Sequence, residues 1–309
     1  MRRMSPLVLR FGGYQKTASI HNQAARRFGE ALRRMLGHAV SFELVESVLD
    51  RGRKSGDLPV MVEEGGLSGC YMSTVRFSDI VPDFKVLELP FVVRDRATLF
   101  RALDGEIGEG LRRRMLENAP FRILGYWDNG YRHLTNRVRP IRAPRDCAGL
   151  RIRTQMSALH GEVFRALGFV PVAADIKEFV EGIGGDRFEA QDNPLTNIWN
   201  FGVHRHHRYI TLTGHFFGGT LFICNKSRYQ SWPPEVRAAV DEAAREATLL
   251  QRQLAAAEDA AILERLDPRE NEVIHLTAAE RAAFVEVVQP IVAKHRAETG
   301  TPLYSALTR

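Results

Sequence analysis

The sequence predicts an α/β protein built from two units, and three observations support this. Strand-like and helix-like hydrophobic periods alternate along the chain. The 309 residues suffice for about two domains. A late helix-forming stretch is longer than a small domain is wide. The composition, 44% hydrophobic and 26% charged, is typical of a globular protein and excludes disordered and low-complexity classes.

The first elements are a strand, a helix and a second strand. Residues 7–11 have the pattern of a strand. Ser19 can cap the helix that follows, apolar residues recur in it at helical spacing, and Gly37 can end it. Residues 40–45 return to a period of two and predict the second strand.

Shorter elements follow in the first half of the chain. Residues 57–64 predict a short helix, and residues 70–75 predict a strand. Residues 86–91 predict another strand, which ends at a proline. Asp95 can cap a helix, and residues 121–127 resume a strand pattern.

A strand in the middle of the chain carries arginines on one face. Apolar and basic side chains alternate over residues 150–154. Side chains of a strand point alternately to its two faces. We therefore expect Leu150 and Ile152 to face a core, and Arg151 and Arg153 to lie on the other face.

The second half of the chain predicts further helices, one of them long. Ser157 can cap a helix that Gly168 ends. A stretch from Pro234 through Leu266, without glycine or further proline, predicts a helix of roughly 50 Å that runs across two lobes. A capping box at residues 277–280 begins a last helix, which Pro290 is expected to kink or break.

The positive charge does not by itself select a partner. A net charge of +6 and a pI of about 9.4 are compatible with nucleic acid, a membrane surface or a small anion. The basic runs at residues 26–27 and 112–114 lie in amphipathic helices near glutamates, and neither is interleaved with aromatic residues expected to be exposed. Solvated helix faces are the better interpretation, and no nucleic-acid partner is predicted.

No motif predicts a cofactor, a metal or a disulfide. The sequence contains no phosphate loop, dinucleotide fingerprint or zinc-protease helix. The three cysteines are far apart and odd in number, which favours three small buried side chains. His204, His206 and His207 lack a nearby cysteine or carboxylate pair, so a basic, solvated helix end is favoured over a metal site.

The chain start carries no recognisable export signal. No apolar segment of roughly 7–15 residues follows Arg2 and Arg3. No uncharged apolar run approaches the roughly 18 residues that a membrane span needs. On these grounds the sequence as given is expected to be soluble.

A series of short motifs carries a resemblance that covers nearly the whole chain. The motifs are residues 89–91, 130–136, 139–141, Pro144, 149–153, 166–168, 171–172, Glu178, 191–194, 213–215 and 232–233, with His21 near the start of the first helix. In order and spacing they resemble the DctP-type solute-binding proteins of TRAP transporters. The sequence departs from that family at Asp186 and Val180, and at Glu189, Ala190 and Asp192 of the motif that ends in Asn193 and Pro194, so the identity of the ligand is not carried over.

The resemblance implies a two-lobed, hinged protein with interleaved lobes and a long lobe-spanning C-terminal helix. It implies residues 1–126 and about 213–250 in lobe I, and residues 127–212 and about 251–309 in lobe II. Such a protein captures a small organic acid in an interlobe cleft and delivers it to the membrane permease subunits of a TRAP transporter. The implied location is the periplasm, and the implied state is a monomer. A wrongly assigned start would reconcile that location with the absent signal.

The resemblance also implies ligand-binding residues. Arg153 would form the main salt bridge to the ligand carboxylate, because a guanidinium offers a planar fork that a carboxylate matches in bidentate fashion. Arg132 is the second candidate, and Asn193, whose amide could donate to a carboxylate or hydroxyl, is the third. Further candidates for the pocket lining are Trp127, Phe216, Phe217, Gln15 and Ser73.

Two alternatives remain open at this point. One is an enzyme that uses the same cleft, with Asp175, Glu178, Glu189 and Asp192 as possible acids or bases. The other is a cytoplasmic sensor of small acids, which is suggested by the absent signal. The binding protein without catalysis leads because no nucleophile and base pair is recognisable.

Overall fold

The computed structural model describes residues 6–299 and 302–309. The start of the chain, on which the expectation of no export signal partly rests, lies outside the described residues. The strands are β1 (Leu7–Gly12), β2 (Val40–Val45), β3 (Gly69–Ser73), β4 (Phe121–Asn136), β5 (Arg151–Thr154), β6 (Val170–Ala173), β7 (Ala190–Pro194), β8 (Tyr209–Asn225) and β9 (Glu272–Ile274).

Helices alternate with these strands, as the hydrophobic periods predict. They are α1 (Ile20–Leu36), α2 (Asp57–Glu63), α3 (Arg96–Asp104), α4 (Glu106–Asn118), α5 (Ala158–Ala166), α6 (Ile176–Gly182), α7 (Leu195–Asn200), α8 (Lys226–Ser231), α9 (Pro234–Arg265), α10 (Ala278–Thr299) and α11 (Pro302–Thr308). Within the described ranges, no helix is both long and apolar enough to cross a bilayer.

The chain divides into two compact units that are interleaved in sequence. Unit 1 comprises Met1–Ser73, Gly110–Asp128 and Thr220–Ala257, and unit 2 comprises Thr74–Glu109, Asn129–Gly219 and Glu258–Arg309. These units are defined by packing, whereas the expected lobes are defined by closure on a ligand. The predicted lobe boundaries, which put residues 74–109 in lobe I, therefore stay a prediction.

Unit 1 contains a sheet with a core of phenylalanine rings. Its strands follow the order β2-β1-β3-β8, with β1 parallel to β2 and β3, and β3 antiparallel to β8. Helix α1 buries its apolar stripe against this sheet, and the ring of Phe28 lies 4.9 Å from Phe11 and 5.1 Å from Phe222. Such ring pairs contribute free energy to a core in addition to the contribution from burial of their apolar surface.

Unit 2 contains the strands that carry the candidate arginines. From β4 the order continues β7-β5-β6; β7 is antiparallel to β4, β5 is parallel to β7 and β6, and β9 pairs with β8. The carboxyl ends of the parallel strands β5 and β7 therefore lie at the same edge. Ligands of open α/β sheets commonly bind at that edge.

Most predicted elements are confirmed, and their caps are formed as expected. The Ser19 side chain accepts a hydrogen bond from the backbone N–H of Asn22 at the start of α1. The Asp95 side chain accepts one from Thr98 at the start of α3. The long helix α9 has 32 residues, which corresponds to about 48 Å.

The strand predicted at residues 86–91 is wrong. Residues Pro82–Glu88 form a 3-10 helix instead. Phe91 then adopts a left-handed φ of 62°, while its N–H donates to the carbonyl of His215 at 2.8 Å. The side chains of residues 86–89 are apolar or buried because this tight segment between two prolines packs into the core, not because it forms a strand.

The break expected at Pro290 is also wrong, because α10 continues through the proline. A proline inside a helix removes one hydrogen bond and costs about 3 kcal/mol. The buried side chains on both sides of it, Phe284 and Val288 before and Ile291 and Val292 after, anchor the two halves in the core.

We expect Gly69→Ala to destabilise unit 1 by about 1–3 kcal/mol, because overpacking a rigid site costs that much. A Cβ at Gly69 would lie 2.3 Å from the carbonyl oxygen of Ile223 and 2.4 Å from the Phe11 ring. The matched control is Gly110→Ala in α4, where a Cβ meets nothing within 4 Å. Urea unfolding should show a loss for the first variant and a gain of up to about 1 kcal/mol for the second. Equal stability of the two variants would contradict the close approach at Gly69.

Candidate ligand-binding site

Arg153 is a buried arginine at the carboxyl end of β5. Its side chain is 4% exposed, and its Nε donates to the carbonyl oxygen of Ala174 at 2.9 Å. Among the described residues, none accepts a hydrogen bond from its two terminal amino groups. Burial, and then the positive charge of Arg132, lower the pKa of Arg153 to about 10, so the group stays charged at neutral pH. A charged fork with unused donors is what a carboxylate ligand requires.

Arg132 is already paired with a carboxylate of this protein. Its Nε donates to Asp192 Oδ2 at 2.5 Å, and its Nη2 donates to the backbone oxygen of Asp192 at 2.6 Å. The antiparallel register of β4 and β7 aligns Arg132 with Pro194 and Leu134 with Asp192, which puts Arg132 and Asp192 on one face. Strand pairing therefore fixes this ion pair.

His215 of β8 completes a buried cluster with this pair. Its Nε2 lies 3.6 Å from Asp192 Oδ2, and its Nδ1 lies 2.6 Å from the Thr213 hydroxyl oxygen. Burial alone would raise the pKa of Asp192, but the Arg132 charge and His215 outweigh burial and hold it well below its usual range. Asp192 is therefore ionised, whereas burial lowers the pKa of His215 and favours its neutral form.

The charged groups around Arg153 cancel one another, so the cluster that includes Arg153 keeps one positive charge in excess. They comprise Arg132 with Asp192, and Arg76 with Asp175, whose Nη2 and Oδ2 lie 3.1 Å apart. Each of these arginines has a carboxylate partner, and Arg153 has none among the described residues. The described cluster is thus complementary to one additional negative charge.

A second set of buried polar groups lies in the same unit. The ring of His160 stacks on Phe216 at 4.2 Å, and Ser157 donates to Glu88 Oε2 at 2.5 Å. Several buried atoms of the described residues have no hydrogen-bond partner: Asp192 Oδ1, Glu88 Oε1, His215 Nε2 and both ring nitrogens of His160. Buried polar atoms are normally satisfied, so such a concentration indicates a place for water or a polar ligand.

Asn193 and Phe217 lie in other surroundings. Asn193 is on the opposite face of β7 from Asp192, where its amide donates to Gln191 Oε1 at 2.5 Å and its oxygen accepts from Asn197 at 3.0 Å. Phe217 packs against Tyr131, with ring centres 5.3 Å apart, whereas Phe216 contacts His160. The β5–β7 register pairs Arg153 with Gln191, so Arg153 lies on the face of Gln191 and Asn193, whereas Arg132 and Asp192 lie on the other face. Within unit 2 the structure therefore groups Arg132 with Phe216 through His215, puts Asn193 on the face of Arg153, and leaves Phe217 apart.

The remaining candidates belong to unit 1. Trp127 is a core residue that stacks on Phe222 at 4.5 Å and donates from Nε1 to the Thr248 hydroxyl at 3.0 Å. Gln15 is buried, and its backbone N–H donates to the hydroxyl of Tyr71 at 3.2 Å. Ser73 ends β3 opposite Thr220.

The possible acids and bases of the enzyme alternative are all engaged with cations. Asp192 pairs with Arg132 and Asp175 with Arg76, as described above. Glu189 lies 3.1 Å from Arg151, and Glu178 lies 3.4 Å from Arg187. A carboxylate held by a guanidinium is a weak base, so this arrangement gives no support to proton abstraction.

The end of the short Val203–Arg205 helix is only in part the basic, solvated end that the sequence suggested, because Arg205 and His206 are exposed but His207 is not. His207 is fully buried, and its Nδ1 lies 2.8 Å from the Thr135 hydroxyl oxygen. His204 stacks on Trp199 at 4.5 Å. Throughout the described part of the chain, no three His, Cys, Asp or Glu side chains are grouped to hold a metal ion.

Sequence reasoning missed His160, His215 and Arg76 as members of the site. His215 lies in a motif of the resemblance, but nothing in its spacing indicated contact with Asp192, which is 23 positions earlier. His160 follows the Ser157 cap, and a histidine in that helix is indistinguishable by pattern from a core residue. The signal available for Arg76 was its place just after a buried strand.

Solved structures share this fold over almost the whole chain. The sugar acid binding protein DctPAm of Advenella mimigardefordensis, crystallised with galactonate, has a TM-score of 0.92 at 22% identity, covering 99% of this chain and 97% of that one. A TRAP periplasmic solute binding protein of Shewanella oneidensis with bound succinate also has a TM-score of 0.92, at 22% identity and 98% coverage of both chains. These likenesses confirm the predicted α/β, two-lobed binding-protein fold.

Relatives of known name match at the sequence level. The 2,3-diketo-L-gulonate-binding periplasmic protein YiaO of Escherichia coli K12 is 29% identical over 284 residues, which are 91% of this chain and 84% of that protein. The C4-dicarboxylate-binding periplasmic protein DctP of Rhodobacter capsulatus is 27% identical over 289 residues, covering 93% and 85%. The sequence model of the DctP family matches residues 11–299. The chain therefore belongs to family 7 of the bacterial extracellular solute-binding proteins, the DctP family.

Proposed function

We propose that this protein binds a small hydroxylated monocarboxylate and delivers it to the membrane permease subunits of a TRAP transporter. Family membership and the relatives named for binding a diketo sugar acid, C4-dicarboxylates or galactonate support this function. The observation that carries it is the buried guanidinium of Arg153, whose terminal donors have no acceptor among the described residues.

Charge and polarity favour the hydroxylated monocarboxylate. The net charge of +1 around Arg153 matches one carboxylate, whereas a second carboxylate would be left beside Asp192 without its own cation. The buried unsatisfied atoms of Asp192, His160 and Glu88 offer acceptors and a donor that ligand hydroxyl groups could complete. We infer that a sugar acid is preferred over succinate.

The remaining parts of the proposal follow the family. The protein acts outside the cytoplasm as a non-catalytic monomer, and its lobes, residues 1–126 with about 213–250 and residues 127–212 with about 251–309, close on the ligand. Arg132 positions Asp192 and contributes positive charge. Asn193, Trp127, Phe216, Phe217, Gln15 and Ser73 stay candidates for the ligand environment, with Phe216 favoured by its contact with His160.

Calorimetric titration with galactonate, D-erythronate and succinate tests the function. We expect 1:1 binding of at least one sugar acid, and tighter binding of it than of succinate. At a hundredfold excess over the dissociation constant, the ligand should stabilise the fold by about 2.7 kcal/mol. Preferred binding of succinate would refute the proposed charge match, and failure of an organic-acid panel to bind would refute carboxylate capture.

Recovery of the ligand distinguishes binding from catalysis. After incubation with excess protein and denaturation, mass spectrometry should return the ligand at unchanged mass and full yield. A time-dependent product that requires folded protein would favour the enzyme alternative instead.

A further inference from the structure

Unit 2 contains a cavity of about 330 Å³ whose lining includes none of Arg153, Arg132, Asp192 and His215. We propose that it binds a small anion with an apolar body, such as an aromatic monocarboxylate. The cavity is lined by Val93, Arg94, Tyr131, His133, Leu195, Leu212, Thr213, Gly214, Asp259, Leu263 and Arg281.

His133 supplies a neutral hydrogen-bond donor to this cavity. Its Nδ1 accepts the backbone N–H of Gly214 at 3.1 Å, which requires the ring proton to be on Nε2. No described residue accepts a hydrogen bond from Nε2, and His133 lines the cavity. Burial, together with the surrounding His215 and arginine groups, lowers the pKa of His133 to about 3, so the ring is neutral under ordinary conditions.

Two arginines supply positive charge at the same cavity. Arg281 donates to the carbonyl oxygen of Thr213, and its guanidinium lies 4.7 Å from the centre of the Phe91 ring, where it is held in place. Arg94 is exposed and forms no ion pair or hydrogen bond with the described residues.

The carboxylate that lines the cavity does not neutralise these arginines. Asp259 is paired with Arg96, whose Nη2 lies 2.8 Å from Asp259 Oδ2. The charges of Arg94 and Arg281 therefore remain in excess over the acidic groups of the lining. An anion at this place would gain charge-assisted hydrogen bonds.

The rest of the lining determines the class of anion. Val93, Leu195, Leu212 and Leu263 are apolar, and the volume is at the small end of ligand sites. An inorganic anion would leave this apolar surface in water. A single-ring or branched aliphatic acid would place its carboxylate at the arginines and its body against the leucines.

The cavity is separate from the proposed primary site, although the two are close in sequence. His133 and Arg132 are successive residues of β4, so their side chains point to opposite faces of the strand, and Arg153 lies two strands away from β4, on β5. None of Arg132, Arg153, Asp192 and His215 lines the cavity. Binding here should therefore survive loss of the Arg153 fork.

The test uses 4-fluorobenzoate as the probe and measures its binding by ¹⁹F NMR in an Arg153→Lys background. We expect millimolar or tighter binding in that background, and at least tenfold weaker binding when Arg94→Gln and Arg281→Gln are added. Arg101→Gln, an exposed arginine of the neighbouring helix α3, is the matched control and should leave the affinity within twofold. A second readout is the Nε2–H resonance of His133, which should shift on titration with the probe.

Three outcomes would overturn the proposal. They are no binding of the probe in the Arg153→Lys background, binding that the Arg94 and Arg281 substitutions leave unchanged, and an unshifted His133 resonance at saturation. Galactonate and D-erythronate titrations of the Arg94 and Arg281 variant, with Arg153 intact, report on the primary site separately. The experiments can thus refute anion binding at the cavity without refuting the proposed function, and they can refute the proposed function without refuting anion binding at the cavity.

Discussion

Arg153→Lys is expected to weaken binding of the preferred carboxylate by about 100-fold, or about 2.7 kcal/mol. Lysine keeps the positive charge but replaces the planar fork with a single ammonium on a flexible stem, so two parallel hydrogen bonds cannot form. The loss is large because the guanidinium is buried and its terminal groups have no other acceptor among the described residues. Calorimetry with the tightest sugar acid of the panel measures it directly.

The control is Arg151→Lys on the same strand. Arg151, like Arg153, lies on the face of β5 opposite Ile152. It is half-exposed, however, and its Nη2 lies 3.1 Å from Glu189 Oε1. Its replacement should change the affinity for the ligand less than twofold, because the Arg151–Glu189 pair does not take part in the proposed carboxylate contact. An exposed ion pair contributes about 1 kcal/mol or less to the stability of the fold. Comparable losses in both variants would show that the fork of Arg153 is not the carboxylate contact. Unfolding curves of both variants establish that they are folded.

The sequence was informative about Arg153 because a period of two is a local property. Alternation over residues 150–154 is sufficient to place the arginines opposite Leu150 and Ile152, and both apolar residues are buried in the structure. The caps at Ser19 and Asp95 were predictable for the same reason, since a cap contacts the backbone three residues ahead.

Properties that depend on distant pairing were not predictable. Arg132 and Asp192 are 60 positions apart, and only the register of β4 against β7 brings them together. Asn193 looked equivalent to its neighbour in sequence, but alternation turns its amide to Gln191. Pattern reasoning likewise could not distinguish a buried His207 from a solvated one, because the hydroxyl of Thr135 that contacts it comes from another strand.

Mild acid is expected to unfold this protein, because several of its histidines are buried in the neutral form. Burial lowers the pKa of His21, His133, His160 and His207 to about 3 in each case. In the unfolded chain these groups titrate near their usual pKa of about 6.5. The unfolded state therefore binds more protons below that pH, and the free energy of unfolding falls as the pH decreases from about 6.5 toward 3.

The expected slope is large. Each such histidine lowers the free energy of unfolding by about 1.4 kcal/mol per pH unit once the pH is well below 6.5, and four of them together give about 5 kcal/mol per unit. From pH 6.5 to pH 4 the loss amounts to about 13 kcal/mol, which is comparable with a typical total stability of about 5–15 kcal/mol. Urea unfolding followed by circular dichroism at pH 7.5, 6.5, 5.5 and 5.0 measures this slope.

His21→Phe isolates one contribution to that slope. Both ring nitrogens of His21 are buried and have no hydrogen-bond partner in the described part of the chain, and the ring stacks on Tyr71 at 5.2 Å. Phenylalanine can therefore replace His21 without removing a described hydrogen bond. The variant should lose about 1.4 kcal/mol per pH unit from the slope below pH 6. His38→Phe, at an exposed position, should leave the slope unchanged. A stability that is flat between pH 7.5 and 5.0 in the unsubstituted protein would contradict the prediction, because it would mean that the folded and unfolded states bind the same number of protons over that range.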